Sequence, residues 1–187
     1  MDLVLASGSP RRAALLESLG LRFTVVVPDV DETRHPDEEP DRYVERVARL
    51  KASVVAAPGS LVLAADTTVV HEGRVLGKPT HPTEARAMLG RLSGDVHAVY
   101  TGVAVASGLE VTSGVDRSLV RMTEMTDDEI ARYVDGGEPF DKAGAYALQG
   151  VGGMFVEAVD GSPSNVIGLP LHLTARLLRA HGFDPLR

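Results

Sequence analysis

The run Leu3-Val4-Leu5-Ala6-Ser7-Gly8-Ser9-Pro10-Arg11-Arg12 leaves this chain few choices. Four apolar residues predict a buried strand, and three small residues then carry the backbone out of it. Ser9 is suited to cap a helix and Pro10 to occupy its first position, where a missing N–H costs nothing. The unit is therefore strand, tight loop, helix, the opening of an α/β fold. A helix N-terminus offers free amides and a partial positive charge, and Gly8 lets a ligand approach the backbone. Arg11 and Arg12 in the first turn oppose the helix dipole unless an anion compensates. The turn, with Ser7 and Ser9, thus reads as a phosphate cradle, against the plainer reading of two solvated arginines on an ordinary turn. No Gly-Lys-Ser/Thr follows, so it is not a Walker loop.

Later segments extend the pattern. Ala13, Leu15, Leu16 and Leu19 predict a helical face ending at Gly20, and Phe23 to Val27 a short strand. Residues 28–40 form an acidic loop in which Asp37, Glu38 and Glu39 read as solvated, while Asp31 and Glu32 follow a strand end, where open α/β sheets place ligands. Asp41 to Ala56 is a helix with Val44, Val47, Val54 and Val55 on one face and Arg42, Glu45, Arg46 and Arg49 on the other. Lys51 lies within the apolar face; an unpaired buried ammonium is expensive, so it either snorkels or meets a partner. Leu61 to Ala65 is a strand buried on both faces with Asp66 at its end, a position suited to a catalytic or metal-binding carboxylate.

A hairpin follows across Glu72-Gly73, then Gly77-Lys78-Pro79, where Lys78 alone would pass for a surface lysine. Helices are expected from Pro82 to Leu92, from a Thr126–Glu129 capping box to Gly136, and from Leu171 to Ala180. Long β-rich segments meet at Ser107-Gly108, and Met154 to Val159 returns to strand. Glu138 to Gly150 is rich in small residues and reads as a binding loop.

Composition removes several function classes. With no cysteine there are no thiolate metal sites or cysteine nucleophiles, and the six histidines show no metal-ligand spacing. No apolar run approaches the ~18 residues of a membrane span, and no signal-peptide pattern opens the chain, which places the expectation in the cytoplasm. A formal net charge of −7 argues against nucleic-acid binding, so any phosphate must be met by a local cationic cluster or a bridging metal ion.

Seven motifs now stand in order: Ser7 to Arg12, Asp31-Glu32, Lys51, Ala65-Asp66-Thr67, Gly77-Lys78-Pro79, Asp141 to Tyr146 with Gln149-Gly150, and Asn165 to Pro170. Together they resemble the Maf family of nucleoside triphosphate pyrophosphatases over essentially the whole chain. The resemblance implies a single domain over residues 1–187 with a mixed α/β fold like that of the inosine triphosphatase group. That fold is a bent sheet with helices in two lobes around a nucleotide cleft. It implies hydrolysis of a nucleoside triphosphate to monophosphate and pyrophosphate, with a divalent cation (Mg²⁺, Mn²⁺ or Co²⁺) and commonly a homodimer. Residue by residue, it makes Asp66 the proton acceptor, with Arg12, Glu32, Lys51 and Lys78 around it and Glu32 and Asp66 as metal ligands. Arg11, Thr67 and Gln149 match the positions linked to base selection in the branch acting on dTTP and UTP, with modified pyrimidine nucleotides as further substrates. The rival expectation is a regulator of septum formation that binds nucleotide without essential turnover.

Overall fold

The computed structural model describes residues 2–186. The described residues form seven strands and six helices, in the order β1 (Asp2–Ala6), α1 (Pro10–Glu17), β2 (Thr24–Val26), α2 (Pro40–Val55), β3 (Ser60–His71), β4 (Arg74–Leu76), α3 (Pro82–Leu92), β5 (Val96–Ser107), β6 (Glu110–Met122), α4 (Asp127–Asp135), β7 (Val156–Asp160), α5 (Pro163–Ile167) and α6 (Leu171–Ala180). Short 3₁₀ turns occupy Glu138–Asp141, Ala143–Ala145 and Val151–Phe155. The sheet runs β2-β1-β3-β5-β6-β7, with β4 paired to β3. It is mixed: β1 is parallel to β2 and β3, with Val4 opposite Thr24 and Val62, whereas the β3–β4 and β6–β7 pairs are antiparallel. The mixed α/β expectation is met.

The chain separates into two compact units. One comprises Met1–Asp66, Thr101–Asp116 and Gly168–Arg187; the other comprises Thr67–Tyr100 and Arg117–Ile167. One core cluster of the first unit is built from small side chains, Ala6, Ala48, Ala52, Val62, Ala64, Ala104 and Ala106, beside larger buried ones such as Leu5, Leu16, Leu61, Leu63 and Leu178. Small residues let α2 sit close to the strands, and Gly102 of β5 marks the contact. A Cβ there would lie 2.3 Å from the Val44 carbonyl oxygen. In the second unit Met88, Leu89, Leu92, Met122, Ile130, Tyr133, Tyr146 and Phe155 are buried together. Among the described residues no helix is long and apolar enough to cross a membrane.

Local signals held where the chain itself satisfies them. The Thr126–Glu129 capping box forms in full, and Gly73 takes positive φ in the β3–β4 turn. Three boundaries and one helix face differ. β3 continues to His71, so Asp66 lies in mid-strand rather than at its end, carried onward by the β-branched run Thr67 to Val70. α1 stops at Glu17, before Leu19, which is partly exposed. Residues 151–155 form a 3₁₀ segment ahead of β7, because Gly152 and Gly153 approach the chain too closely for a pleated strand. Val54, expected on the buried face of α2, is 54% exposed.

Candidate active site

The strand, loop and helix of the opening turn form, with Ser9 at the N-cap and Pro10 first in α1. Ser9 caps by backbone conformation alone, without a side-chain bond; its N–H donates to the Ser7 hydroxyl at 3.2 Å. Ser7 is buried and also accepts from the Arg12 guanidinium at 3.0 Å. Arg12 donates through Nε to the Gly168 carbonyl at 2.8 Å. The two arginines therefore differ in environment. Arg12 is buried and fixed by backbone and hydroxyl, whereas Arg11 is half-buried. Burial works against the Arg12 charge, while Asp66 and Glu32 favour it.

Lys51 resolves the alternative left by the sequence. Its side chain is 7% exposed and does not snorkel; Nζ lies 2.9 Å from Oδ1 of Asp66 and 2.8 Å from Oε2 of Glu32. One ammonium from α2 thus gathers a carboxylate from β3 and another from the acidic loop. Asp66 is buried, whereas the Glu32 side chain is 49% exposed. Burial pushes the Asp66 carboxyl above the ordinary aspartate value, against the pull of Lys51 and Arg12. A carboxylate of raised pKa among fixed cations is a candidate general base.

The acidic loop is held from α2 by Tyr43 and Arg46, and Glu38, expected to be solvated, is paired there. Tyr43 Oη donates to the Glu32 carbonyl at 3.0 Å, and Arg46 donates to the Thr33 carbonyl at 3.0 Å. Arg46 also forms a two-point pair with Glu38, at 2.7 and 2.9 Å, which holds the Glu38 carboxyl down at about 2. Arg46 further lies over the Tyr43 ring, 5.8 Å from its centroid. Glu38, Tyr43 and Arg46 are accordingly a latch rather than solvent-facing charges. Burial pushes the Tyr43 hydroxyl up to about 12, so it stays a donor. Their signal in the sequence was the arginine-rich face of α2, which carries no record of the loop it meets.

Thr67, Lys78 and Gln149 belong to the second unit. Thr67 follows Asp66 directly on β3 and is half-buried, while Lys78 and Gln149 are exposed. The Gly144 N–H donates to the Gly77 carbonyl at 3.1 Å, which fixes the chain just before Lys78. Gly144 has φ of 73° and a Cβ there would lie 3.0 Å from the Val69 methyl groups, so a side chain would be both strained and crowded. Two histidines that carry no metal pattern also prove structural. His71 pairs with Asp95 at 2.9 Å and His97 with the Tyr146 hydroxyl at 2.7 Å, both rings buried.

No group of three or more His, Asp or Glu side chains suited to a metal occurs among the described residues. Lys51 takes one oxygen each of Asp66 and Glu32, so each carboxylate keeps an oxygen that the lysine does not engage. Two carboxylates suit Mg²⁺, which takes one or two such ligands and completes its shell with water and substrate phosphates. The donor set fits a metal of that kind.

Comparison with known proteins bears on the family and the fold. A family model described as "Maf-like protein" matches residues 2–181. A protein of Myxococcus xanthus named dTTP/UTP pyrophosphatase is 54% identical, covering 96% of this chain and 92% of its own. Proteins of the same name from Halalkalibacterium halodurans and Anaeromyxobacter dehalogenans are 50% and 55% identical, each covering 97% of this chain. The solved structure of the Ham1 protein of Staphylococcus aureus aligns over 97% of both chains with a TM-score of 0.51 and 15% identity, a likeness of fold.

Proposed function

Because the chain belongs to the Maf-like family, we propose that it is a nucleoside triphosphate pyrophosphatase that cleaves dTTP and UTP to the monophosphate and pyrophosphate. The observation that carries this is the Glu32–Lys51–Asp66 group: a buried carboxylate of raised pKa, held 2.9 Å from a buried ammonium that also holds Glu32. Relatives at about half identity over nearly the whole chain bear the corresponding name.

Asp66 accepts the proton of a water that attacks the α-phosphorus. The bond from that phosphorus to the bridging oxygen breaks, and pyrophosphate leaves with the electron pair. Hydrolysis of this kind asks little covalent chemistry of the protein, mostly placement and charge neutralisation. Lys51 and Arg12 supply fixed positive charge beside Asp66, and the amides of the Ser7 to Arg12 turn suit phosphate oxygens. Glu32 and Asp66 are the residues that would hold a divalent cation, which when bound neutralises phosphate charge. Lys78 is assigned to the phosphates, and Arg11, Thr67 and Gln149 to the base. The Gln149 amide offers one donor and one acceptor group, as the edge of a pyrimidine requires. A homodimer and turnover of modified pyrimidine nucleotides extend the same proposal on the family resemblance alone, and a cytoplasmic location extends it on the sequence pattern alone.

The test is product identification across a panel of canonical and modified nucleotides with Mg²⁺ or Mn²⁺. Pyrophosphate from dTTP and UTP is the expected result. Orthophosphate would make the protein a phosphatase, and binding without any product would return the regulator that the sequence left open.

A further inference from the structure

The segment around Gln149 is pinned on both sides by one carboxylate and one phenol of the second unit. Before Gln149, the Ala147 N–H donates to Tyr133 Oη at 3.3 Å. After it, the N–H groups of Val151 and Gly152 donate to Oε2 and Oε1 of Glu138, both at 2.9 Å. Tyr133 Oη closes the arrangement by donating to Oε1 of Glu138 at 2.7 Å. Glu138 thus accepts three hydrogen bonds, and its own backbone carbonyl accepts from Lys142 Nζ at 2.6 Å. Tyr133 is buried on α4 and packs edge-on against Phe155, with ring centroids 5.6 Å apart.

The glycines of this stretch are cut to fit the clamp. A Cβ on Gly150 would lie 2.3 Å from Oε2 of Glu138, and one on Gly152 would lie 2.5 Å from Tyr133 Oη. Burial works to raise the Glu138 carboxyl, but the Gly152 and Val151 amides and the Tyr133 hydroxyl outweigh it and hold it below the ordinary glutamate value. Glu138 is therefore ionised and acceptor-only at neutral pH. Gln149 itself, between the pinned amides, is exposed.

We propose that Glu138, acting with Tyr133, is a positioning residue for base selection: by fixing the backbone on both sides of Gln149 it sets where the Gln149 amide is presented. This rests on the reading of Gln149 as a pyrimidine reader. A loop staple serving stability alone predicts a different outcome of the experiment below.

That experiment is the ratio of kcat/KM for UTP to kcat/KM for GTP in the wild type and in Glu138→Gln, Tyr133→Phe, Gln149→Ala and the Glu138→Gln/Gln149→Ala double variant. Fraction folded cancels in the ratio, so a merely structural role leaves it unmoved. Glu138→Gln exchanges one acceptor oxygen for a donor NH₂ among donors, and Tyr133→Phe removes the acceptor of the Ala147 N–H. Each is expected to lower the ratio by about tenfold, mainly through KM for UTP. The double variant is expected to fall no further than Gln149→Ala, because both changes act through one side chain. A selective wild type with unmoved ratios in both single variants overturns the clamp's role, as do multiplicative effects in the double variant. A wild type that hydrolyses UTP and GTP alike overturns the base-reader assignment together with the clamp. Should Glu138→Gln fail to fold, Tyr133→Phe decides the matter.

Discussion

Asp66 and Lys51 carry opposite obligations at the same 2.9 Å contact. Burial raises the Asp66 pKa, and the sign of its effect on stability follows. Protonated in both folded and unfolded chains at low pH, it costs nothing there; as pH rises through its folded value, the ionised form increasingly destabilises the fold. Asp66→Asn is therefore expected to abolish pyrophosphate release at pH 7 without lowering the thermal midpoint, since Lys51 keeps Glu32 at 2.8 Å. The same reasoning places the acid limb of kcat/KM above the ordinary aspartate value of 3.8. Lys51 and Arg12 pull that limb down. Lys51→Met is expected to move it to higher pH and to reduce kcat by at least about 100-fold; a limb that stays in place would mean that another group is titrating.

At the scale of elements, α2 does two jobs: it supplies Lys51 from its buried face and latches the acidic loop through Tyr43 and Arg46. Tyr43→Phe removes the bond to the Glu32 carbonyl while leaving the ring, at a cost of about 1 kcal/mol in stability. It is expected to raise KM for UTP several-fold with a smaller change in kcat, as measured by steady-state kinetics. The sequence disclosed α2 and the anomaly at Lys51, because periodicity and the expense of a buried charge are local facts. It did not disclose the latch. Tyr43 and Arg46 sit on an ordinary polar helix face, and Glu38 in an ordinary acidic loop, until the two meet, and nothing in the spacing of residues 28–39 says that they will. Asp66 was placed in the site for a partly mistaken reason, its supposed strand end. β3 runs on to His71, and what makes Asp66 unusual is burial beside Lys51. Glu138 escaped notice likewise, since its three donors come from Tyr133, Val151 and Gly152.

For the molecule as a whole, pH enters through a buried ring as well as through the site. Desolvation, assisted by His71, lowers the His97 pKa from 6.5 to about 4. The unfolded chain binds this proton first, so stability is expected to fall as pH drops from 6.5 to about 4, by on the order of 3 kcal/mol for this group. Thermal midpoints across that window check it, and His97→Asn should flatten the slope. The family match and the names of its relatives give the enzyme class, and the proposed mechanism has water attacking the α-phosphorus with pyrophosphate as leaving group. Turnover of UTP with Mg²⁺ in ¹⁸O-labelled water, followed by mass spectrometry of both products, tests this most directly. The account predicts label in the uridine monophosphate and none in the pyrophosphate. Label in pyrophosphate, or release of orthophosphate, would contradict it.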